Sequence, residues 1–255
     1  MKVLKPFEEL TQRTKSGIML GAVVILLIAW CIASIGSVHL FPSIPQVLTG
    51  FADLYRDGLV VHIFSSLGLF IHATIISVII SLVLAYLTPI AALKPLGTFI
   101  SKLRYLPLTG IAFYISILIN DARAVQTWIL VVFMSTYLTT SLLGMVKDIP
   151  EEEFDHAKTL GCSRWEILLE VVIKGRLDYV IECIRQNLAM VWVFLVTVES
   201  ILAAAGGLGF LIKNNDRLGD NGKVIALQII IILIGISLDF ILTKLRQLIF
   251  RYSTF

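Results

Sequence analysis

Six long apolar runs constrain what this chain can fold into more than any other feature of its sequence. A helix rises about 1.5 Å per residue, so about 20 apolar residues cover the hydrocarbon core of a bilayer, which is roughly 30 Å thick. Hydrophobic residues make up 57% of the chain and charged residues only 15%, far from the composition of an ordinary soluble domain. We predict an all-α integral membrane protein with six transmembrane helices, at residues 18–36, 60–87, 108–119, 124–146, 180–202 and 224–242.

Two of these runs depart from the usual length or context of a membrane span. The run 18–36 is too long for a typical signal-peptide core, and no convincing cleavage site follows it. We expect it to be retained after a cytoplasmic tail at 1–17, as the start of a single transmembrane domain over 18–255. The run 108–119 is short for a full crossing, so we expect it either to be tilted or to continue from the apolar part of the preceding loop.

Lysine and arginine residues are sorted between the two sides of the predicted membrane. Of the 21 such residues, fifteen lie in the two terminal tails, in the segment before the third span and in the loop 147–179, whereas five lie on the opposite side. Cytoplasmic loops carry the excess of positive charge, so both termini and this loop are predicted to be cytoplasmic. The net charge of +3 is a weak footprint for nucleic-acid binding, and we exclude that class.

The loop 147–179 contains the longest markedly polar stretch between two strongly apolar ones. Within it, Phe154, Ala157 and Leu160 recur at i, i+3 and i+6, which predicts a helix with a narrow apolar stripe. Pro150 suits the first helical position, and the acidic residues behind it complement the positive end of the helix dipole. The first part of the loop is therefore predicted to be a short helix.

A bend and a second helix are predicted to follow. Gly161 comes directly after the stripe, where a helix commonly ends in a left-handed conformation that glycine adopts at little cost. Ser163 and Glu166 have the spacing of a capping box, in which each side chain bonds the other residue's backbone amide at a helix start. One interpretation of the pair is an amphipathic hairpin of helices lying on the bilayer surface.

The ordered pattern also resembles the cytoplasmic coupling loop, or EAA loop, of ABC importer permeases, in which a Glu-Ala-Ala helix leads to a glycine and a second helix. The positions that match the nitrate, sulfonate and taurine permease group are Ala157, Leu160, Gly161, Ser163, Arg164 and Trp165. Asp155 and His156 replace Glu and Ala, and Lys174 and Asp178 replace two prolines. The resemblance runs from about residue 41 to the carboxyl end and implies the type I ABC importer permease fold.

Partners and location follow from the same resemblance. It implies a second permease copy, two cytosolic ABC ATPase subunits that bind ATP and Mg²⁺, an extracytoplasmic solute-binding protein, and the lipid of a bacterial cytoplasmic (inner) membrane. This chain itself is expected to bind no cofactor and no metal. The residues expected to couple to the ATPase are Phe154, Asp155, His156, Ala157, Leu160, Gly161, Ser163, Arg164 and Trp165.

Polar residues within the fifth predicted span are candidates for a solute path, because such groups are costly in lipid and should face protein or water. The resemblance favours three of them, at positions where the permease group carries Arg, Trp and Glu. The candidates are Arg185, Asn187, Trp192 and Glu199. Two alternatives stay open: Arg185 could pair with Glu182 near the cytoplasmic headgroups, and Glu199 could be a carboxylate bonded to the glycine-rich segment 206–210.

The second predicted span also carries polar residues. His62 and His72 are expected to be polar groups satisfied between helices. The serines of this span are expected to be small residues that allow close packing, namely Ser65, Ser66, Ser77 and Ser81.

Motifs for catalysis are missing from the sequence. It contains no G-x-x-x-x-G-K-[ST], no H-E-x-x-H and no G-x-S-x-G, so ATP hydrolysis is assigned to another polypeptide and a membrane hydrolase has no support. Cys31, Cys162 and Cys183 are an odd number in three separate segments, and they predict neither a disulfide nor a metal framework.

The expected function is that of a non-catalytic transmembrane subunit of an ATP-driven importer. The resemblance implies a small anion as its solute, such as nitrate, bicarbonate, taurine or another organosulfonate. The family's arginine in the second span is replaced by Leu69. A degenerate, non-transporting membrane scaffold or sensor with a permease-like fold is the alternative.

Overall fold

The computed structural model describes residues 12–35, 41–90 and 92–249, and every regular element in that part of the chain is a helix. Residues 1–11 of the predicted tail lie outside the described residues, as do 36–40, 91 and 250–255. The α-helices are α1 (Gln12–Ile35), α2 (Ile44–Arg56), α3 (Leu59–Leu87), α4 (Lys94–Lys102), α5 (Leu108–Leu118), α6 (Ala122–Lys147), α7 (Glu151–Thr159), α8 (Arg164–Ile167), α9 (Leu177–Ile201), α10 (Leu208–Arg217) and α11 (Asn221–Ile249).

Several of these helices are long and apolar enough to cross a membrane, which confirms the predicted all-α membrane architecture. By length and composition, four segments qualify among the described residues: Leu59–Leu87, Ala122–Lys147, Arg164–Ile201 and Asn221–Leu248. α1 adds 24 residues, or about 36 Å of helix. The count of six crossings stays a prediction.

The third predicted span corresponds to α5, which has only 11 residues, or about 17 Å of helix. One of the two expectations was that this helix continues from the preceding loop. That expectation is wrong, because the chain is extended just before α5. Pro107 has no N–H to donate and disfavours a helical conformation in the residue before it, and Leu106 is accordingly extended, with φ −71° and ψ 132°.

α6 lies at the centre of the described structure, with α3 and α9 packed against it. Leu130, Met134, Leu138 and Leu142 of α6 have no exposed surface. On α3 the facing positions are small residues four apart, and all are fully buried: Ala73, Ser77, Ser81 and Ala85. Small residues let two helix backbones approach closely, and the Ser81 hydroxyl donates to the Ser135 carbonyl at 3.2 Å. The packing role predicted for Ser77 and Ser81 is confirmed.

The second helix of the loop and the fifth predicted span form one helical segment, Arg164–Ile201, which differs from the predicted boundary at 179/180. A π-helical stretch, Leu168–Ile173, and a 3₁₀ turn, Lys174–Arg176, join α8 to α9 without interrupting the helix. Proline would remove a backbone hydrogen bond and break a helix here, and this chain has none between 164 and 201. Likewise, α11 continues about seven residues beyond the predicted end of the sixth span at 242.

Candidate functional site

The bend between α7 and α8 has the geometry predicted from the sequence. Gly161 has a φ of 79°, in the left-handed region that favours glycine. Its N–H donates to the Lys158 carbonyl at 2.9 Å, and the Cys162 N–H donates to the Ala157 carbonyl at 3.2 Å. These two bonds form a Schellman motif, which satisfies carbonyls that the end of α7 would otherwise leave free.

The capping box at the start of α8 is confirmed. The Ser163 N–H donates to Glu166 Oε2 at 2.6 Å, and the Glu166 N–H donates to the Ser163 hydroxyl at 3.4 Å. An ion pair between Glu153 of α7 and Arg176 adds a second tie across the bend. The angle between α7 and α8 is thus fixed by backbone bonds at the glycine, by the cap and by a charge pair.

The apolar residues of this loop face in two directions. Ala157 is buried, and Phe154 lines a cavity of about 230 Å³ with Leu143 of α6 and Val172 of the π-helical stretch. Phe154 therefore packs against the protein's own helices. In contrast, Leu160 is 70% exposed and Trp165 is 69% exposed.

We call the outward-facing part of this loop the coupling surface, and define it by His156, Leu160, Arg164 and Trp165, all of which are exposed. Asp155 is exposed beside it and pairs with Lys158 at 2.7 Å. Large apolar side chains are seldom left exposed together at a polar, capped bend. Exposed apolar surfaces of this kind commonly mark a protein contact. The expected coupling residues thus divide into those that shape the bend and those on the coupling surface.

In the first half of α9, Arg185 belongs to a cluster of four charged residues. It donates to Glu182 at 2.7 Å and to Asp239 of α11 at 2.5 Å, and Arg246 of α11 also donates to Glu182 at 2.7 Å. The cluster joins α9 to α11. It includes the pair of Arg185 and Glu182, which the sequence left open as an alternative for Arg185.

Asn187 and Trp192 are buried and bonded within the protein. The Asn187 amide donates to the Ser141 hydroxyl at 3.0 Å, which links α9 to α6. The Trp192 indole donates to the Ile231 carbonyl at 3.0 Å, and its ring lies edge-on to Phe70 with the centroids 5.5 Å apart. One side of Trp192 also borders an apolar cavity of about 250 Å³ between α9 and α11, which Arg185 lines too.

Glu199 lies at the centre of a polar cluster, defined by His62, Ser66, Arg123, Glu199 and the segment 207–209. The Glu199 carboxylate is fully buried and accepts from the Ser66 hydroxyl at 2.8 Å and from the Gly209 N–H at 3.0 Å. Arg123 is 3.8 Å away from it. Because the Gly209 N–H lies in the first turn of α10, the carboxylate occupies the positive end of that helix, as a bound anion would.

The same cluster explains two glycines of the segment 207–209. A Cβ atom on Gly207 would lie 2.1 Å from Glu199 Oε1, and one on Gly209 would lie 2.0 Å from the Val196 carbonyl oxygen. Gly207 also has a φ of 109°. Only residues without a side chain let the start of α10 approach α9 this closely.

The contacts of Glu199 fit the alternative of a carboxylate bonded to the glycine-rich segment, and its place on a solute path stays a prediction. His62 is satisfied as expected, since its Nδ1 accepts from the Gly207 N–H at 3.1 Å. Sequence reasoning missed Ser66 and Arg123 as partners of Glu199. Ser66 stands 133 residues earlier in the chain, and nothing in the local pattern joins the two.

Comparison with known proteins places these features in one family. The family described as the inner membrane component of binding-protein-dependent transport systems matches residues 17–251. A putative ABC transporter permease of Methanocaldococcus jannaschii is 30% identical over 45% of this chain and 43% of the relative. The taurine transport system permease of Escherichia coli is 28% identical over 58% of this chain and 51% of the relative.

A bicarbonate transport system permease of Synechococcus elongatus is 26% identical over 42% of this chain and 38% of the relative. The chain thus spans about two fifths to one half of the length of these curated relatives.

Solved structures support the fold. A methionine ABC transporter in an inward-facing conformation aligns with a TM-score of 0.64 at 14% identity, over 74% of this chain and 94% of the other. An amino acid ABC transporter aligns with a TM-score of 0.62 at 17% identity, over 78% of this chain and 95% of the other. The similarity to both is one of fold, and it confirms the expectation of a type I ABC importer permease architecture.

Proposed function

Because the chain belongs to the family of inner membrane components of binding-protein-dependent transport systems, we propose that it is the transmembrane subunit of an ATP-driven importer of a small anion. The single observation that carries this proposal is the coupling surface. Leu160 and Trp165 present large apolar side chains from a bend whose shape is fixed on both sides by capping. A cytosolic ATPase with a matching groove would cover them.

The proposed mechanism depends on the continuous helical segment that connects the bend to α9. α8 continues without interruption into α9, so a displacement of the coupling surface is carried along about 38 residues of one helical segment. The charge cluster around Arg185 ties α9 to α11, and Asn187 ties it to α6. Closure of the ATPase subunits on ATP would rock these helices together and change the side on which a cavity between two permease copies is open.

The substrate class rests on the relatives. Their names specify taurine, which carries a sulfonate group, and bicarbonate, which is an oxyanion. We infer the same class here, together with a second permease copy, two ATPase subunits that hold ATP and Mg²⁺, and an extracytoplasmic solute-binding protein. The orientation proposed has the coupling surface and both termini in the cytoplasm, as the distribution of positive charge predicts.

The test is solute-stimulated ATP hydrolysis by the purified complex in lipid vesicles, measured with nitrate, bicarbonate and taurine in turn. We expect one of these anions to stimulate hydrolysis in the parent. Trp165→Ala should abolish the stimulation through loss of the ATPase, whereas Tyr105→Ala is a matched control, because Tyr105 is a 75% exposed aromatic residue outside the loop. An ATPase that binds but responds to no anion would favour the non-transporting scaffold or sensor.

A further inference from the structure

A cavity of about 310 Å³ lies between α3 and α6, in their predicted outer halves. Its polar lining comes from Ser65 and His72 of α3 and from Arg123 and Thr127 of α6, and none of the described carboxylates lines it. A water molecule in the liquid takes up about 30 Å³, so the cavity has room for a small anion with several waters.

His72 shows that this face of α3 is unsuited to lipid. It lies 13 residues after Leu59, or about 20 Å along a helix of about 44 Å, and thus close to the middle of the span. The sequence predicted a satisfied side chain, but His72 is exposed and makes no hydrogen bond to another described residue. An imidazole in the bilayer centre is costly, so this face is expected to meet water or protein.

Arg123 provides the positive charge of the cavity, and hydrogen bonds to Gln126 and Ser65 hold it in place. Its guanidinium donates to the Gln126 side chain at 3.1 Å and to the Ser65 carbonyl at 3.2 Å, and it also contacts the Ser65 hydroxyl. The Arg123 side chain is 34% exposed, whereas Glu199 behind it is fully buried.

Glu199 lies 3.8 Å from the Arg123 guanidinium and offsets part of its charge, but it is not among the groups that line the cavity. Its carboxylate already accepts from Ser66 and Gly209, and it has no surface in the cavity. The Ser65 oxygen lies against the guanidinium, which leaves its O–H free to turn toward the cavity as a donor. The groups that a ligand would meet are therefore a guanidinium, an imidazole and a hydroxyl.

We propose that this cavity is a subsite of the solute path that binds the oxyanion or sulfonate group of the transported solute. Arg123 supplies the charge, and His72 and Ser65 supply hydrogen bonds. The inference rests on the proposed function for its place in transport, but the recognition of an anion can be tested without transport.

The test uses His72→Cys in the full chain, purified with whatever subunits stay bound and placed in lipid nanodiscs. Its reaction rates are measured with two methanethiosulfonate reagents, one carrying a sulfonate and one carrying a quaternary ammonium. The sulfonate reagent is itself a small organosulfonate, so it serves as the probe of the site. The parent chain, which keeps Cys31, Cys162 and Cys183, gives the background, and Leu233→Cys, an exposed apolar position on α11, gives the rate at a position expected to face lipid.

Relative to the ratio of rates that the two reagents show with a small free thiol in solution, we expect the sulfonate reagent to be favoured about tenfold at His72→Cys, because a positive cavity raises the local concentration of anions. Adding Arg123→Gln should remove that preference, and adding Arg123→Lys should keep most of it. The ratio of two reagents at one thiol cancels any change in the thiol's own reactivity. Millimolar nitrate, bicarbonate or taurine should slow the sulfonate reagent.

Two results would overturn the inference. One is a His72→Cys that reacts no faster than Leu233→Cys with either reagent. The other is a ratio of the two rates at His72→Cys that equals the ratio for a free thiol, or that stays the same when Arg123 is replaced by Gln. Failure of the proposed function is a separate result: a chain that labels as expected but recruits no ATPase would keep the anion subsite and remove its role in import.

Discussion

Gly209→Ala adds only one methyl group, but the structure predicts that it strongly destabilises the fold. The new methyl group would lie 2.0 Å from the Val196 carbonyl oxygen and 2.8 Å from both Glu199 Cβ and the Ser200 nitrogen. The Val196 oxygen and the Ser200 nitrogen belong to the α9 backbone, which cannot turn away as a flexible side chain can. Either α10 or α9 must move.

The movement breaks identifiable bonds. The Gly209 N–H donates to Glu199 at 3.0 Å, and the Gly209 carbonyl accepts from the Ser200 hydroxyl at 3.0 Å. A hydrogen bond to a charged group contributes about 1.5 to 3 kcal/mol and a neutral one about 0.5 to 1.5 kcal/mol. Overpacking by one methyl group costs about 1 to 3 kcal/mol when the surroundings cannot relax. In this protein, α9 and α10 can relax only by moving apart, which breaks these two hydrogen bonds. We therefore expect a loss of about 2 to 4 kcal/mol in the free energy of unfolding.

Gly144→Ala is the matched control. Gly144 lies in the interior of α6, and a Cβ atom there would meet nothing within 4 Å, so the change should be neutral or should stabilise the helix by up to about 1 kcal/mol. The free energy of unfolding would be measured in the same detergent for the parent and both variants. Equal values for Gly209→Ala and Gly144→Ala, within about 1 kcal/mol, would refute the close approach of α9 and α10.

Three further substitutions test other parts of the structure. Gly161→Val should cost roughly 1 to 2 kcal/mol locally, because a β-branched residue is strained in the left-handed conformation. It should reduce co-purification of the ATPase while insertion in the membrane stays intact, and wild-type amounts of ATPase would contradict this. Glu182→Gln should lower the free energy of unfolding by about 1 to 2 kcal/mol, since Arg185 and Arg246 lose their shared charged acceptor, and an unchanged melting temperature would show that the cluster is not structural. Glu199→Gln should lower it by about 1 to 3 kcal/mol, because the Ser66 hydroxyl and the Gly209 N–H lose a charged acceptor, and an unchanged free energy of unfolding would contradict this structural role.

The features that were predictable from the sequence are those set by neighbours along the chain. The left-handed Gly161 and the Ser163–Glu166 cap each depend on a few consecutive residues, and local patterns specify them. The apolar runs specify helices for a similar reason, because the cost of an exposed backbone in lipid leaves few other structures.

The features that were not predictable depend on residues far apart in the chain. Ser66 and Arg123 meet Glu199 only because α3, α6 and α9 pack around one point. The opposite faces of Phe154 and Leu160 likewise depend on where α7 docks. Their spacing of six residues indicated one stripe, but positions i and i+6 lie about 120° apart around a helix, and Leu160 follows the last residue of α7. The exposure of His72 also follows from packing, since no local signal separates an interhelical histidine from one that faces a cavity.

The central claim is that the coupling surface joins this chain to a cytosolic ATPase, and mass spectrometry of the intact complex extracted from its native membrane tests it most directly. The account predicts a parent complex that contains two permease copies and two ATPase subunits, and a Trp165→Asp chain of unchanged thermal stability from which the ATPase masses are missing. A parent chain recovered without any ATPase, or a Trp165→Asp complex with its full complement of ATPase subunits, would contradict it.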